Sequence, residues 1–318
     1  MPLMTAALSQ SPAPLIARSR LDALLDGARG RRVAIVGDAM LDVYLRGDVD
    51  RISPEAPVPV VRVRSRTLAL GGAANVAQNV AAAGASCALV AAVGADDLAG
   101  RTLCEELERI QGDSDSLVRV ARPTTTKTRV LAAVSAAVSR ADALVLEDYN
   151  KGVLVPSVIE GAIRVARSRG IPIIVDPKYR NFFSYRGATV FKPNRRELEA
   201  AMGAAVDLEH PEALPVTFER LGVEHLLLTL GERGMALIAA DGVVRRIPTT
   251  ARDVYDVVGA GDTVTAYLAT SLAAGASAYE AAVVANYAAG VEVGKLGAAT
   301  VTPDEIREAY EDHHGNRE

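Results

Sequence analysis

Short apolar runs alternate with amphipathic stretches along most of the chain. The runs at 32–36, 143–146 and 171–175 lack in/out alternation, a pattern typical of parallel strands that are buried on both faces. Pro156 and Gly170 stand at the expected start and end of one intervening helix. Strands that alternate with helices predict an α/β fold, with a mainly parallel sheet and helices on both faces.

Proline-bearing segments define the predicted domain organisation. The stretch 45–63 carries three prolines among valines. Because proline cannot donate to a strand ladder, this stretch predicts edge strands that form a small β lid within about 43–70. The first 14 residues also contain three prolines and lack a continuous apolar core. They predict a flexible tail at 1–14, followed by one domain over 15–312 and a short tail at 313–318.

Composition narrows the class of protein. The 318 residues are 49% hydrophobic and 23% charged, which supports a sizeable core and excludes wholesale disorder. The charge balance of 35 Lys+Arg against 39 Asp+Glu argues against a nucleic-acid partner, which would favour a basic surplus. Aromatic residues make up 4% and tryptophan is absent, so a stacking platform for single strands is not expected.

The cysteine count and one long uncharged stretch bear on the compartment. Cys87 and Cys104 are the only cysteines, which excludes a disulfide scaffold and favours a reducing, cytoplasmic location. The stretch 67–95 contains no charged residue, but glycines and side-chain amides interrupt it. A lipid-facing helix would bury those amides without partners, so we expect no membrane span.

The strongest chemical motif is Asp-Val-Val-Gly-Ala-Gly-Asp at 256–262, which leads into a helix. Its glycines let the backbone approach a ligand, and the helix N-terminus attracts anions. A carboxylate at Asp262 is a candidate base for a hydroxyl that attacks phosphorus. The same pattern fits a tight strand–helix turn equally well. A P-loop is absent, and Val264 interrupts a dinucleotide fingerprint.

Four motifs stand in order along the chain: GGAAN at 71–75 with the Gly94, Asp96 and Gly100 stretch, NxxE at 194–197, TLGERG at 229–234 and DVVGAGD at 256–262. Together they resemble the signatures of the pfkB-type, ribokinase-like carbohydrate kinases, over residues 33 to about 301. Val257 and Val258 replace the threonines that are commoner in the last motif.

A narrower resemblance rests on the segment RISPEAPVPV at 51–60, which follows Asp38 and Asp42. This segment, with DYNKG at 148–152 and VDPK at 175–178, is similar to kinases of D-glycero-D-manno-heptose 7-phosphate, which supply heptose for lipopolysaccharide. The resemblance implies phosphorylation of the anomeric C1 hydroxyl to give the 1,7-bisphosphate. The chain resembles a stand-alone kinase rather than relatives with an added nucleotidyltransferase domain.

The resemblance also implies roles at the phosphoryl-transfer centre. Asp262 would be the base, and the backbone around Gly259, Ala260 and Gly261 would stabilise the transferred phosphoryl group. ATP and Mg²⁺ are the implied cofactors, with room for a monovalent cation. Asn194 and Glu197 would hold Mg²⁺ through water. The residues implied to shape the nucleotide site are Thr229, Gly231 and Gly234, with Asn286 near the base.

On the sugar side, the resemblance implies a second set of residues. Those expected around the sugar are Asp38, Asp42, Gly71, Gly72, Asn75 and Asp176. Those expected to bind the substrate's own phosphate are Lys151, Lys178 and Arg180. The lid strands are expected to pair in a homodimer, with neither nucleic acid nor membrane as a partner.

Each of these roles has an ordinary structural alternative. Asp38 and Asp42 also fit turn and cap positions. Asn194 and Glu197 also form a helix capping box. Lysines and arginines are most often solvated surface charges. At the level of function, two alternatives stay open: a kinase of another sugar, sugar phosphate or nucleoside, and a non-catalytic sensor of sugar or nucleotide on the same scaffold.

One region departs from the heptose-kinase pattern. Residues 124–131 predict a strand and 134–140 a short helix, whereas these kinases carry a further polar strand and a longer helix there. Either the protein has a deletion or a segment is missing from the sequence. A true deletion would expose a sheet edge and leave one wall of the sugar site incomplete.

Overall fold

The computed structural model describes residues 15–52, 59–95, 97–110, 112–113, 116–120, 126–209 and 214–315. Its strands are β1 (Arg32–Gly37), β2 (Ala39–Ile52), β3 (Pro59–Gly72), β4 (Ser86–Val90), β5 (Ala92–Gly94), β6 (Val118–Val120), β7 (Ala143–Glu147), β8 (Ile173–Asp176), β9 (Val190–Phe191), β10 (His225–Thr229), β11 (Met235–Ala239) and β12 (Val244–Ile247). Its helices are α1 (Arg18–Gly27), α2 (Ala73–Ala82), α3 (Leu98–Arg109), α4 (Thr126–Val138), α5 (Pro156–Arg169), α6 (Arg195–Met202), α7 (Leu214–Leu221), α8 (Ala260–Ala273), α9 (Ala278–Glu292) and α10 (Pro303–Gly315).

Eight strands form the central sheet, in the order β12-β11-β10-β9-β8-β7-β1-β4. The pairs from β10 to β4 are parallel, whereas β10 pairs antiparallel with β11 and β11 with β12. The turn at Asp241 and Gly242 joins β11 to β12. The predicted mainly parallel sheet with helices is therefore confirmed. Its register places Gly37 opposite Glu147, and Glu147 opposite Asp176. Three strands thus end side by side, and their carboxyl ends define one edge of the sheet.

A separate two-stranded sheet forms the lid. β2 and β3 pair antiparallel from Ala39 and Gly72 out to Ile52 and Pro59, so the hairpin is longer than the predicted 43–70. Pro54 and Pro57 fall in 53–58, outside the described residues. Among the lid side chains whose burial the structure describes, the exposed large apolar ones are those of Val43, Leu45, Val63 and Leu68. The expected homodimer stays a prediction.

Helices cover both faces of the central sheet. The core on one face includes side chains of α2, α8 and α9, and that on the other includes side chains of α4 and α5. α8 is buried over almost its whole length because its residues are small or apolar, and Tyr267 within it is 1% exposed. Burying each large apolar side chain stabilises the fold by about 1.5–3 kcal/mol. This packing fixes the first turn of α8 at the carboxyl edge of the sheet.

The region 126–138 corrects a sequence prediction. We expect a strand up to Leu131, but the structure shows the continuous helix α4 over these residues. Val130, Val134 and Val138 recur at helical spacing and are buried, so packing overrides the β propensity of threonine and valine. Thr124 lies outside the described residues. β6, which pairs with β5, was not predicted.

The last helix crosses the predicted domain boundary at 312. α10 continues to Gly315, and the ring of His314 packs against that of Tyr310, with centroids 4.6 Å apart. His313 and His314 are therefore helical, and the domain boundaries stay a prediction. Among the described residues, no helix combines the length and apolar character that crossing a lipid bilayer requires.

Candidate active site

The candidate base lies in the first turn of α8. Gly259 precedes this helix with a φ of +97°, a conformation that an L side chain adopts only under strain. The turn carries Asp262 to the carboxyl edge of the sheet, where it is 5% exposed. Asn75 Nδ2 donates to its Oδ2 at 2.9 Å, and the Tyr149 hydroxyl donates to its Oδ1 at 2.9 Å.

The electrostatic environment suits Asp262 to accept a proton. Burial, joined by the negative charge of Asp176, raises the pKa of Asp262 to about 6, against the opposing hydrogen bonds from Asn75 and Tyr149. At neutral pH the carboxylate is therefore mostly ionised, yet more basic than an exposed aspartate. A general base works best with a pKa near the working pH.

Three buried carboxyl groups meet at this edge of the sheet. Glu147, Asp176 and Asp262 have oxygen atoms within 4.8 Å of one another. Lys192 Nζ pairs with Asp176 Oδ2 at 2.7 Å. Burial and the two acidic neighbours raise the pKa of Glu147 well above its usual range. This shift favours the neutral form of Glu147, and the Lys192 ammonium offsets part of the negative charge of the cluster.

Lys192 also lies close to the expected anion-binding turn. A Cβ added at Gly261 would stand 3.7 Å from Lys192 Nζ and 3.8 Å from Asp176 Oδ2. Asp176 thus lies beside the first turn of α8, and its predicted contact with the sugar stays a prediction. The Ala260 amide makes only a long contact, 3.5 Å, with the Val257 carbonyl oxygen.

The sugar-side aspartates are placed differently from each other. Both Asp38 carboxylate oxygens accept backbone amides of the loop 149–153, and Asp38 is 2% exposed. This geometry corresponds to the turn-anchoring alternative, and the predicted sugar contact of Asp38 stays a prediction. Asp42 is half-buried, and its Oδ2 lies 2.6 Å from where a Gly71 Cβ would stand. A Gly72 Cβ would stand 2.5 Å from the Asp38 carbonyl oxygen.

Asn194 and Glu197 form the capping box of α6. The Glu197 amide donates to Asn194 Oδ1 at 2.9 Å, and the Asn194 amide donates to Glu197 Oε2 at 2.8 Å. Lys178 Nζ donates to Glu197 Oε1 at 2.8 Å. The amide and carboxylate oxygens suit a hard cation. Because both carboxylate oxygens already accept a hydrogen bond, they fit Mg²⁺ held through water better than direct ligation.

The expected nucleotide residues line one cavity of about 620 Å³. Its lining includes Thr229, Gly231, Gly234 and Asn286, with Ala260 and Gly261 at its α8 end. Asn286 Nδ2 donates to the Pro248 carbonyl oxygen at 2.8 Å, which holds the chain that borders the cavity. A second cavity of about 1150 Å³ shares Thr229 and Gly231 and extends to Lys178 and Asn194. The two cavities provide adjoining space along α6 and α8.

The three basic residues expected at the substrate phosphate are not equivalent. Lys178 is half-buried, pairs with Glu197, and lies 5.3 Å above the Tyr149 ring. Lys151 and Arg180 are exposed. Lys178 thus already has an anionic partner, whereas Lys151 and Arg180 are open to solvent, and the role of all three at the substrate phosphate stays a prediction.

Sequence reasoning missed Tyr149, Glu147 and Lys192 as site residues. Tyr149 lies within the DYNKG motif, so that motif was a signal for it. Glu147 and Lys192 immediately follow buried strand residues, and a charged residue at the carboxyl end of such a strand was the available signal. Asp96, in one family motif, falls outside the described residues.

The chain matches the family described as pfkB family carbohydrate kinase over residues 31–305. It is 43% identical to the bifunctional protein HldE of Pelobacter propionicus, covering 91% of this chain and 65% of the relative. It is 45% identical to that of Caulobacter sp. strain K31, covering 87% and 62%. The chain thus spans less than two thirds of these relatives. It belongs to the pfkB family and is a carbohydrate kinase.

Solved structures show the same fold. Arabidopsis thaliana ribokinase, complexed with ribose and ATP, has a TM-score of 0.69 at 19% identity, covering 88% of this chain and 98% of that one. Phosphofructokinase-2 from Escherichia coli, in complex with potassium, has a TM-score of 0.73 at 17% identity, covering 89% and 99%. The ribokinase-like fold predicted from the motifs is confirmed.

Proposed function

We propose that this kinase transfers the γ-phosphoryl group of ATP to the C1 hydroxyl of D-glycero-D-manno-heptose 7-phosphate, giving the 1,7-bisphosphate for lipopolysaccharide synthesis. The observation that carries the phosphoryl-transfer step is the buried Asp262 carboxylate at the start of α8, held by Asn75 and Tyr149. The substrate rests on the resemblance at 51–60 and is consistent with the similarity to bifunctional HldE proteins.

In this proposal the sugar lies between the lid and Asp262. The ionised Asp262 accepts the proton of the C1 hydroxyl. The C1 oxygen attacks the γ-phosphorus of ATP at the same time, and ADP leaves. The N-terminus of α8 and the Lys192 ammonium offset negative charge on the transferred group. Asp42 and Asn75 are the proposed partners of the sugar hydroxyls. Lys151 and Arg180 are the candidates for the 7-phosphate.

The cofactor requirement follows from the same site. Mg²⁺, held through water at Asn194 and Glu197, would supply positive charge to the nucleotide phosphates. A monovalent cation is an optional addition. Both carboxylate oxygens of Glu292 are buried without a partner among the described residues, and Oε1 lies 3.1 Å from the place of a Gly259 Cβ. These oxygens would suit a cation beneath the anion-binding turn.

The lid gives the site a means to exclude water. β2 and β3 leave the sheet edge at Ala39 and Gly72, directly beside Asp38 and the start of α2. Closure of this hairpin over the sugar would suppress transfer of the phosphoryl group to water. The exposed valines and leucines of the lid support the further proposal that two lids pair in a homodimer.

The test is ADP release with Mg·ATP and heptose 7-phosphate, ribose or fructose 6-phosphate. We expect turnover with the heptose alone, and its loss in Asp262→Asn. Asp304→Asn is the matched control, because Asp304 is an exposed aspartate of α10. Turnover with another sugar would overturn the substrate assignment, and a fully active Asp262→Asn would overturn the base assignment. ATP binding without turnover of any of these sugars would favour the sensor alternative.

A further inference from the structure

The loop that follows β7 is fastened to the sheet by one buried carboxylate. Asp38 Oδ2 accepts the amides of Tyr149 at 3.0 Å and Lys151 at 2.8 Å, and Oδ1 accepts the amide of Val153 at 3.1 Å. Asp38 is 2% exposed. A carboxylate that accepts three backbone amides holds a loop strongly, since hydrogen bonds to charged groups contribute more than neutral ones.

This fastening determines where the Tyr149 side chain points. Its backbone is held by Asp38, its ring lies 5.3 Å from Lys178 Nζ, and its hydroxyl donates to Asp262 Oδ1 at 2.9 Å. Burial raises the pKa of Tyr149, so the phenol keeps its proton and stays a donor. Asn75 holds the other Asp262 oxygen. Each carboxylate oxygen retains a second lone pair, which leaves room for a substrate hydroxyl.

We propose that Asp38 positions the base through the loop 149–153 rather than by contacting the sugar, and that the Tyr149 hydroxyl keeps Asp262 ionised and oriented for proton transfer. Asp38 and Tyr149 are then positioning residues. This inference rests on the proposed kinase function, because it assigns the base of that reaction its supports.

Other charged and titratable groups also face Asp262. They are Glu147 at the end of β7, Asp176 at the end of β8, Lys192 after β9 and Glu292 in α9. Tyr149→Phe leaves all four in place and removes only a donor to the ionised carboxylate. Loss of such a donor raises the pKa of the acid it served.

The first test is the pH dependence of kcat in Tyr149→Phe. We expect the acid limb to move to higher pH by roughly one unit. The rate should therefore fall several-fold at pH 6, recover by about pH 8.5, and leave KM for the sugar within about twofold. Tyr267→Phe is the matched control: it removes a buried hydroxyl of α8 that bonds to the Val301 carbonyl oxygen. An unmoved acid limb in Tyr149→Phe would overturn the inference.

A second readout needs no substrate. The carboxyl ¹³C resonance of Asp262, titrated by NMR, should show a higher pKa in Tyr149→Phe than in the wild type or Tyr267→Phe. Equal titrations would overturn the inference even if the kinase proves specific for a different sugar. Conversely, a shifted titration with no heptose turnover would sustain the inference while the proposed substrate fails.

The Asp38→Asn variant distinguishes a positioning role of Asp38 from a direct contact with the sugar. Thermal melting checks that the variant folds. A positioning role predicts the same shift of the Asp262 titration as in Tyr149→Phe, and no further shift in the double variant. A direct sugar contact predicts an unmoved titration and a raised KM for the sugar. If Asp38→Asn does not fold, the titration of Tyr149→Phe decides the claim about the base.

Discussion

Glu197 and Asp262 lie in the first turns of two helices, α6 and α8, at the same edge of the sheet, but their hydrogen-bond partners differ. Glu197 closes a capping box with Asn194 at α6, so its helix start is satisfied from within. α8 begins at Ala260, directly after Gly259, and has no side-chain cap among the described residues. Asp262 instead turns to Asn75, 187 positions away, and to Tyr149, 113 positions away. A helix N-terminus with its own capping box stabilises the helix, whereas the N-terminus of α8, which has no side-chain cap, can bind an anion.

The largest effect on activity should follow from neutralising Asp262, the carboxylate in the first turn of α8. Asp262→Asn removes the proton acceptor, so kcat should fall by about 10²–10⁴-fold, the usual contribution of a general base. KM for ATP should change little. Steady-state kinetics with both substrates measure this. A loss of less than about tenfold would mean that Asp262 only shapes the turn.

Neutralising Glu197 should lower kcat less than neutralising Asp262, and it should change the Mg²⁺ requirement instead. Glu197→Gln keeps a cap oxygen but weakens the ion pair with Lys178 and the attraction for hydrated Mg²⁺. We expect the Mg²⁺ concentration for half-maximal rate to rise by about tenfold, with a smaller fall in kcat. Titration of Mg²⁺ at fixed ATP measures it. An unchanged Mg²⁺ requirement would assign Glu197 to capping alone.

Two glycines with positive φ sharpen the comparison between the helices. Gly259→Ala at α8 would bring a Cβ to 3.1 Å from Asn75 Nδ2 as well as straining a φ of +97°. Gly203→Ala follows α6, with a φ of +71° and open space around the Cβ. Both should lose about 1 kcal/mol of stability from backbone strain, but only Gly259→Ala should lower kcat several-fold. Equal losses of kcat in the two variants would mean that the turn before α8 has no catalytic role of its own.

The pH dependence of the wild type probes the same carboxylate. Asp262 must be ionised to accept a proton, and its pKa is raised to about 6. Activity should therefore be full above about pH 7 and fall as the pH drops through 6. A kcat profile that stays flat down to pH 4.5 would contradict an Asp262 base.

The smallest effect concerns Glu292, beneath the α8 turn. Burial, joined by Asp256 and Asp262, raises the pKa of Glu292 to about 8. If a monovalent cation neutralises it, potassium chloride should raise the melting temperature at pH 8 by a few degrees relative to choline chloride. Glu292→Gln should abolish that difference. The same response in both proteins would place the ion elsewhere or remove it from the proposal.

Sequence patterns predicted the architecture well because each buried parallel strand carries its own signal. β1, β7 and β8 are short apolar runs, and their order of helices and strands implies the parallel sheet. α4 was mistaken in part for a strand because Thr126, Thr128 and Val130 favour strands locally. The helical spacing of Val130, Val134 and Val138 competes with that strand propensity, and packing of these valines against the sheet decides the helical state.

The sequence predicted the candidate site residues that stand in recognisable motifs. It missed the residues whose place in the site depends on tertiary packing. Asp262 and Asn75 stand in recognisable motifs, and the structure brings them together. Tyr149 lies in a motif too, but its role requires the Asp38 anchor on a distant strand end. For Glu147 and Lys192 the sequence offered only a weak signal, a charged residue at the end of a buried strand, because their contacts depend on the neighbouring strand ends.

The most direct test of the central claim is the position of the new phosphate. The ³¹P NMR spectrum of a reaction with Mg·ATP and heptose 7-phosphate should show, in step with ADP, a second sugar phosphate signal coupled to the anomeric proton. Asp262→Asn should give neither signal. ADP with only inorganic phosphate, or a new phosphate coupled to a non-anomeric proton, would contradict the account.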